Sequence, residues 1–178
     1  QEIMESETGY ALLELAAFAT IGDVMELKDE NRIIVKCGLE LMKNTRNIGL
    51  RALMDVTEIQ SQNIKPYTIG FVLGPCLNAT GRLDTATNAL ELFCAADTQS
   101  AVQIAGDLKA MNDSRKELTQ KGVEEAICLI EENGLLNDKV LVVYLPDVHE
   151  SLAGIIAGRI REKYGKPTFV LTNAEDGV

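Results

Sequence analysis

Tryptophan is absent from this chain, and only four phenylalanines and four tyrosines occur in its 178 residues. A core short of large rings is built from Leu, Ile, Val and Ala, which favours helices packed through aliphatic ridges. The four cysteines (Cys37, Cys76, Cys94 and Cys128) are irregularly spaced, with no C-x-x-C pair. That excludes the usual zinc spacings and gives no disulfide framework. Each cysteine is therefore expected to sit as a small apolar residue in a reducing cytoplasm. Apolar runs such as Ala11–Ala19 fall far short of the roughly 20 residues a membrane-spanning helix needs. No basic segment with a cleavage site opens the chain. A Walker loop, a dinucleotide fingerprint and an assembled Ser/His/Asp or Cys/His set are missing as well.

Positive charge is the last shortage. Lys and Arg total 17 against 27 Asp and Glu, a net charge of −10. Proteins that hold nucleic acid by counterion release normally present a basic face, so this figure alone argues against such a partner. A metal-dependent nuclease, however, must collect carboxylates. With 46 % hydrophobic and 25 % charged residues, the composition is that of a folded, soluble α/β protein.

Pattern then divides the chain. Residues 7–19 predict a helix with an apolar stripe at Leu12, Leu15, Ala16 and Ala19. A second helix is expected from an Asp29 N-cap to about Lys43, with Ile33, Ile34, Cys37 and Leu41 on one side, and a short one over Leu50–Val56. Pro66 opens a helix expected to end at Gly74-Pro75. Asn78–Arg82 reads as a loop, and Asp84 or Thr85 as the cap of a helix to about Ala95. From Thr98 to Asn133-Gly134 the spacing is helical throughout, thinning to Asn-Asp-Ser-Arg-Lys at 112–116. One connecting helix of roughly 52 Å, or two helices broken there, both fit. Lys139–Leu145 reads as a buried strand, Ser151–Tyr164 as a helix and Thr168–Thr172 as a strand, a β-α-β order implying a parallel or mixed sheet. The expected class is α/β: a mostly helical part over 1–96, a connector over 97–134, and the start of an α/β domain over 135–178. Two strands leave exposed edges and little core, and both ends of the chain are expected to be cut ends.

Three clusters could carry chemistry. Asp23 comes directly after an apolar helix and Gly22, where an acid can reach into a cleft as an oxygen donor for a hard divalent cation, or simply cap the segment after it. In Gly74-Pro75-Cys76-Leu77-Asn78-Ala79-Thr80-Gly81-Arg82-Leu83 the glycines and proline fix a backbone path, and Asn78 and Arg82 can reach outward. Arg82 offers a planar fork suited to phosphate; an ordinary interhelical loop is the alternative. His149 lies between a strand end and a helix start, where ligands bind in open α/β sheets, and Ser151 could cap that helix beside a phosphate. A structural histidine is the alternative there.

Taken in order, these segments resemble RecJ-type exonucleases of the DHH phosphoesterase superfamily. Ala19–Leu27 resembles the motif GTIADVxPL, and Asn31–Leu39 resembles NRxLVxxGL. Gly49–Leu53 matches GLRAL, Ile69–Leu83 resembles IGFxLGPRLNAAGRL, and His149–Pro167 resembles the entry into a DHHA1 domain. The resemblance implies 5′→3′ digestion of single-stranded DNA by two divalent ions, Mn2+ or Mg2+, in repair and recombination. It implies Asp23 as one metal ligand, with the remaining ligands upstream, and a long helix flanking the strand's groove. It also implies a cytoplasmic monomer with no membrane contact and a single-strand-binding protein or helicase as possible partner. The chain alone is expected to bind no metal and to be inactive. Departures are Gly22 for alanine, Cys76 for arginine, and His149-Glu150-Ser151-Leu152 for His-x-Gly-Val. Rival readings are another DHH/DHHA1 phosphodiesterase acting on oligonucleotides or cyclic dinucleotides, or a non-catalytic scaffold.

Overall fold

The computed structural model describes residues 7–83 and 87–173, with side chains from 9 to 79 and from 87 to 173. It divides into two compact units, residues 1–112 and 113–178.

The first unit is helical. Helices α1 (Glu7–Gly22), α2 (Asp29–Met42) and α3 (Ile48–Val56) are followed by a 3₁₀ turn at Ser61–Asn63. α1 packs on α2 where Ala17 meets Gly38: a Cβ on Gly38 would collide with Ala17 Cβ and lie 2.9 Å from Leu13 O. The buried face of α1 is Glu14, Ala17, Phe18 and Ile21, and that of α2 is Val35, Gly38 and Met42. Both apolar stripes expected from the sequence are therefore displaced, since Leu12 and Ile33 are exposed. These helices are apolar on more than one side, so spacing alone does not choose the inner face. Asp29 is not the N-cap of α2 either. It is the first helical residue, at φ 44°, and Lys28 precedes it without a side-chain cap bond.

Asn47 caps α3, its Oδ1 accepting from Leu50 N at 2.8 Å while its Nδ2 donates to Phe93 O at 3.1 Å. Beyond the turn, α4 (Pro66–Thr68) runs through a π turn, Ile69–Leu73, directly into α5 (Gly74–Leu83). The helix expected to end at Gly74-Pro75, and the loop expected at Asn78–Arg82, are thus one continuous rod. Pro75 has no N–H and its ring would clash with the carbonyl four residues back, so an α-helix could not pass unaltered. The wide turn absorbs this: Gly74 N–H donates to Ile69 O, five residues back. α6 (Thr87–Phe93) follows, and the expected caps Asp84 and Thr85 lie outside the described residues. Leu50, Leu53, Ile69, Leu73, Leu92 and Leu108 fill the core, with Phe18 and Phe93 edge to face at 5.7 Å.

α7 (Thr98–Glu132) is one unbroken helix of 35 residues, which decides against the broken alternative. Asp97 caps it, with Ser100 N and Ser100 Oγ both donating to its carboxylate at 2.8 Å. The polar midsection is not wholly solvated, because Asn112 is buried and its Nδ2 donates to Cys76 Sγ at 3.5 Å. Of the cysteines only Cys76 is buried. Cys37, Cys94 and Cys128 are exposed, contrary to expectation, and none is in a disulfide.

In the second unit Gly134, left-handed at φ 68°, ends α7. Strand β1 (Leu141–Tyr144), helix α8 (Glu150–Tyr164) and strand β2 (Thr168–Leu171) form a parallel pair with Leu141 opposite Thr168 and Tyr144 opposite Leu171. Leu141, Val143 and Leu145 pack against Leu152, Ile156, Ile160 and the second half of α7 (Val123, Ala126, Ile130). β1 alternates buried and exposed residues, so the expectation of a wholly buried strand holds for one face only. No helix among the described residues is long and apolar enough to cross a membrane.

Candidate functional site

α1 closes with two bonds characteristic of a left-handed helix end: Met25 N donates to Thr20 O at 3.0 Å and Val24 N to Ile21 O at 3.1 Å. Val24 takes the left-handed position, φ 54°, which glycine normally fills. A β-branched residue there is strained, and such outliers gather at functional positions. Asp23 sits immediately before it, its N–H still bonded to Ala19 O at 2.9 Å. Its side chain is exposed. The helix is thus anchored up to Asp23 while the carboxylate projects beyond the packed turn. A Cβ on Gly22 would meet nothing within 4 Å, so glycine in place of alanine changes no packing.

Asp23 opens onto a cavity of about 370 Å³ shared by α1, α5 and α6. Leu15, Ala19 and Gly22 form one wall, Gly74, Leu77 and Asn78 a second, and Leu90, Phe93 and Cys94 a third. Leu15 and Ala19, expected to face the core, instead face this cavity. The structure therefore brings Asp23 and Asn78 together although 55 residues separate them in sequence. Continuous passage of α4 into α5 puts Asn78 there. Arg82 stands one turn further along the α5 backbone, and its side chain lies outside the described residues. The wall from α6 carries no motif and gave no signal in the sequence.

A larger recess, about 630 Å³, lies among Lys43, Thr45, Arg51, Asp55 and Glu58. Its charges are mixed, and Arg51 is engaged with Thr45 O at 2.5 Å. Behind it Thr45 Oγ1 donates at 2.6 Å to Glu14, whose carboxyl is pushed above its ordinary range by burial and only partly drawn back by that hydroxyl.

His149 and Ser151 meet in the second unit. Ser151 was expected to cap α8, but His149 does so. Its Nδ1 accepts from Ser151 N at 3.2 Å and lies 2.8 Å from Ser151 Oγ. Nδ1 is thereby committed to holding the helix start, and the exposed ring keeps its other edge toward solvent.

Among the described residues no three His, Cys, Asp or Glu side chains lie close enough to hold a metal ion. Asp23 offers one hard oxygen donor, Asn78 a neutral one, and the remaining cavity wall is largely apolar. These residues do not complete a divalent site.

No protein-family profile matches the chain. Its curated relatives fall in one class, single-strand-specific DNA exonucleases. In particular, it is 36 % identical over 171 residues to the single-stranded-DNA-specific exonuclease RecJ of Dickeya dadantii, across 94 % of this chain and 30 % of that protein. It is 34 % identical over 160 residues to RecJ of Bacillus subtilis, across 90 % of this chain and 20 % of that protein. Among solved structures it resembles Thermus thermophilus RecJ in complex with Mg2+ at TM-score 0.79 and 29 % identity, covering 96 % of this chain and 27 % of that one. A manganese-bound exonuclease RecJ matches at TM-score 0.78 over 96 % of this chain and 43 % of that one. The sequence resemblance to RecJ thus holds over nearly the whole chain, which spans less than a third of the length of these curated relatives.

Proposed function

We propose that this chain is one section of a RecJ-like nuclease that degrades single-stranded DNA 5′→3′, supplying one metal-binding carboxylate, Asp23, and part of the substrate groove. The observation that carries the reading is the cavity in which a strained helix end presents Asp23 across from Asn78. Residues 1–96 are then the last part of a DHH domain, 97–134 the connector and 135–178 the start of a DHHA1-like domain. The ions are Mn2+ or Mg2+, as in the RecJ structures the chain resembles, and the other ligands come from residues outside this chain. Asn78, Arg82, His149 and Ser151 are assigned to phosphate contacts. At Asn78 the support is its place beside Asp23, and at the His149–Ser151 pair it is the N-terminus of α8, where backbone N–H groups favour an anion. The setting is cytoplasmic DNA repair or recombination, with a single-strand-binding protein or helicase as accessory partner and a monomeric enzyme.

The test compares this chain with the intact gene product that carries it, on a 5′-labelled single strand with and without Mn2+. The intact protein should digest the strand, the isolated chain should be inert, and Asp23→Ala in the intact protein should lower kcat at least about a hundredfold, the order of effect of losing a charge-stabilising group. Hydrolysis by the isolated chain, or full activity of Asp23→Ala, would refute the assignment.

A further inference from the structure

Tyr67 and Phe71 are set apart from the other exposed aromatic residues, Tyr10, Tyr144 and Phe169, by stacking on each other. Their rings are stacked, centroids 4.7 Å apart and planes 21° from parallel, yet each side chain is 68 % exposed. Rings of this size ordinarily go inside or into an interface, as Phe18 and Phe93 do in the same unit. A stack left in water keeps two flat outer faces available.

Three further features specify what those faces fit. Phe71 lies within the π turn that precedes Pro75, closed by Gly74 N–H donating to Ile69 O, and Gly74 leaves no room there for a side chain, whose Cβ would stand 2.8 Å from Ile69 O. Such turns recur at functional positions. Phe71 also stands three residues before Gly74, which with Leu77 and Asn78 lines the Asp23 cavity; rings and cavity thus share one continuous helical rod. Finally, the stretch between Glu58 and Asp84 contains no Asp or Glu, and its two charged residues, Lys65 and Arg82, are both cationic, within a chain of net charge −10. Lys65, two residues from Tyr67, is exposed. A flat apolar face with a cation two residues away in sequence, in a sequence stretch free of acids, matches an unpaired base and its phosphate.

We infer that the outer faces of the Tyr67–Phe71 stack bind an unpaired base of the single strand, continuing the groove beyond the Asp23 cavity. This rests on the nuclease reading and adds a specific stacking platform to it.

Tyr67→Leu and Phe71→Leu keep apolar bulk and helix propensity but remove the ring faces. In the intact gene product, KM and kcat are read on a 5′-labelled single strand with Mn2+. The emission of 2-aminopurine placed along the strand and the thermal midpoint are read alongside. Each leucine variant should raise KM about tenfold, the change expected on losing one base stack, with kcat within about twofold. The stacking-dependent emission change should vanish, the thermal midpoint should stay put, and Tyr67→Phe should restore the wild-type values. Unchanged KM in a protein that digests single strands overturns the platform and leaves the nuclease reading intact. A midpoint that falls with each ring shows the pair covered by protein, and also overturns it. A wild-type protein that hydrolyses nothing but binds the strand with ring-dependent emission keeps the platform and removes the nuclease reading.

Discussion

The two units bury their apolar residues by different means. The first brings helices so close that side chains are excluded: Gly38 lies against Ala17, and Gly49 against the carbonyl of Leu92. Its core has contributors from nearly every helix. The second has one helix and half of another on one face of a two-stranded parallel sheet. The opposite face leaves Val142, Tyr144, Phe169 and Leu171 between 40 % and 60 % exposed. Parallel strands are ordinarily covered on both faces. The first unit therefore depends on glycines that meet backbone, whereas the second has one close glycine, Gly122, which meets only the flexible end of Ile156 at 2.5 Å, and otherwise rests on a small set of large aliphatic side chains without reserve.

Substitutions can break that contrast in order of size. Gly49→Ala should be the most damaging, at least about 4 kcal/mol, because its Cβ meets backbone rather than a movable side chain. Amide exchange should then show protection lost across α1–α3 while β1 and α8 keep theirs; loss in both units together would refute separate stabilisation. Leu152→Ala, removing a fully buried side chain of the second unit, should cost about 3 kcal/mol. With so small a core this should unfold β1, α8 and β2 together in urea, with α1–α3 still protected. Glu14→Gln sharpens the comparison from the other side. Burial raises the Glu14 carboxyl above its ordinary 4.5, so the folded state holds its proton more tightly than the unfolded state. Stability therefore falls as pH rises through that window. Glutamine keeps an acceptor for Thr45 and removes the buried charge, so the first unit should gain about 1 kcal/mol at neutral pH. The gain should disappear as pH falls below 4.5. A gain independent of pH would show that Glu14 titrates alike in the folded and unfolded chain, and so would refute a carboxyl raised by burial.

Legibility in the sequence followed the strength of local signals. The end of α7 was readable because Asn133-Gly134 acts locally, through left-handed backbone at Gly134. The parallel pairing was readable from the β-α-β order. The passage through Gly74-Pro75 is hidden from the sequence because both residues are stop signals in isolation. Only the long-range packing of Ile69 and Leu73 makes a π turn preferable to an end. The inner faces of α1 and α2 are hidden for a related reason, namely that each helix carries apolar residues on more than one side.

For the candidate site the division is similar. Asp23 and Asn78 were each identifiable from their segments, but their shared cavity depends on α5 continuing where a loop was expected. The third wall, Leu90, Phe93 and Cys94, has no motif at all. The sequence by itself determined the helical and β-α-β segments and the long α7, because those depend on neighbours a few positions away. Tertiary structure alone decided which apolar stripe is buried, that Asp23 and Asn78 line one cavity, that His149 rather than Ser151 caps α8, and that Tyr67 and Phe71 stack in solvent. Each of these is settled by competition among contacts distant in the chain, where excluded volume and burial of whole helices outweigh any local preference.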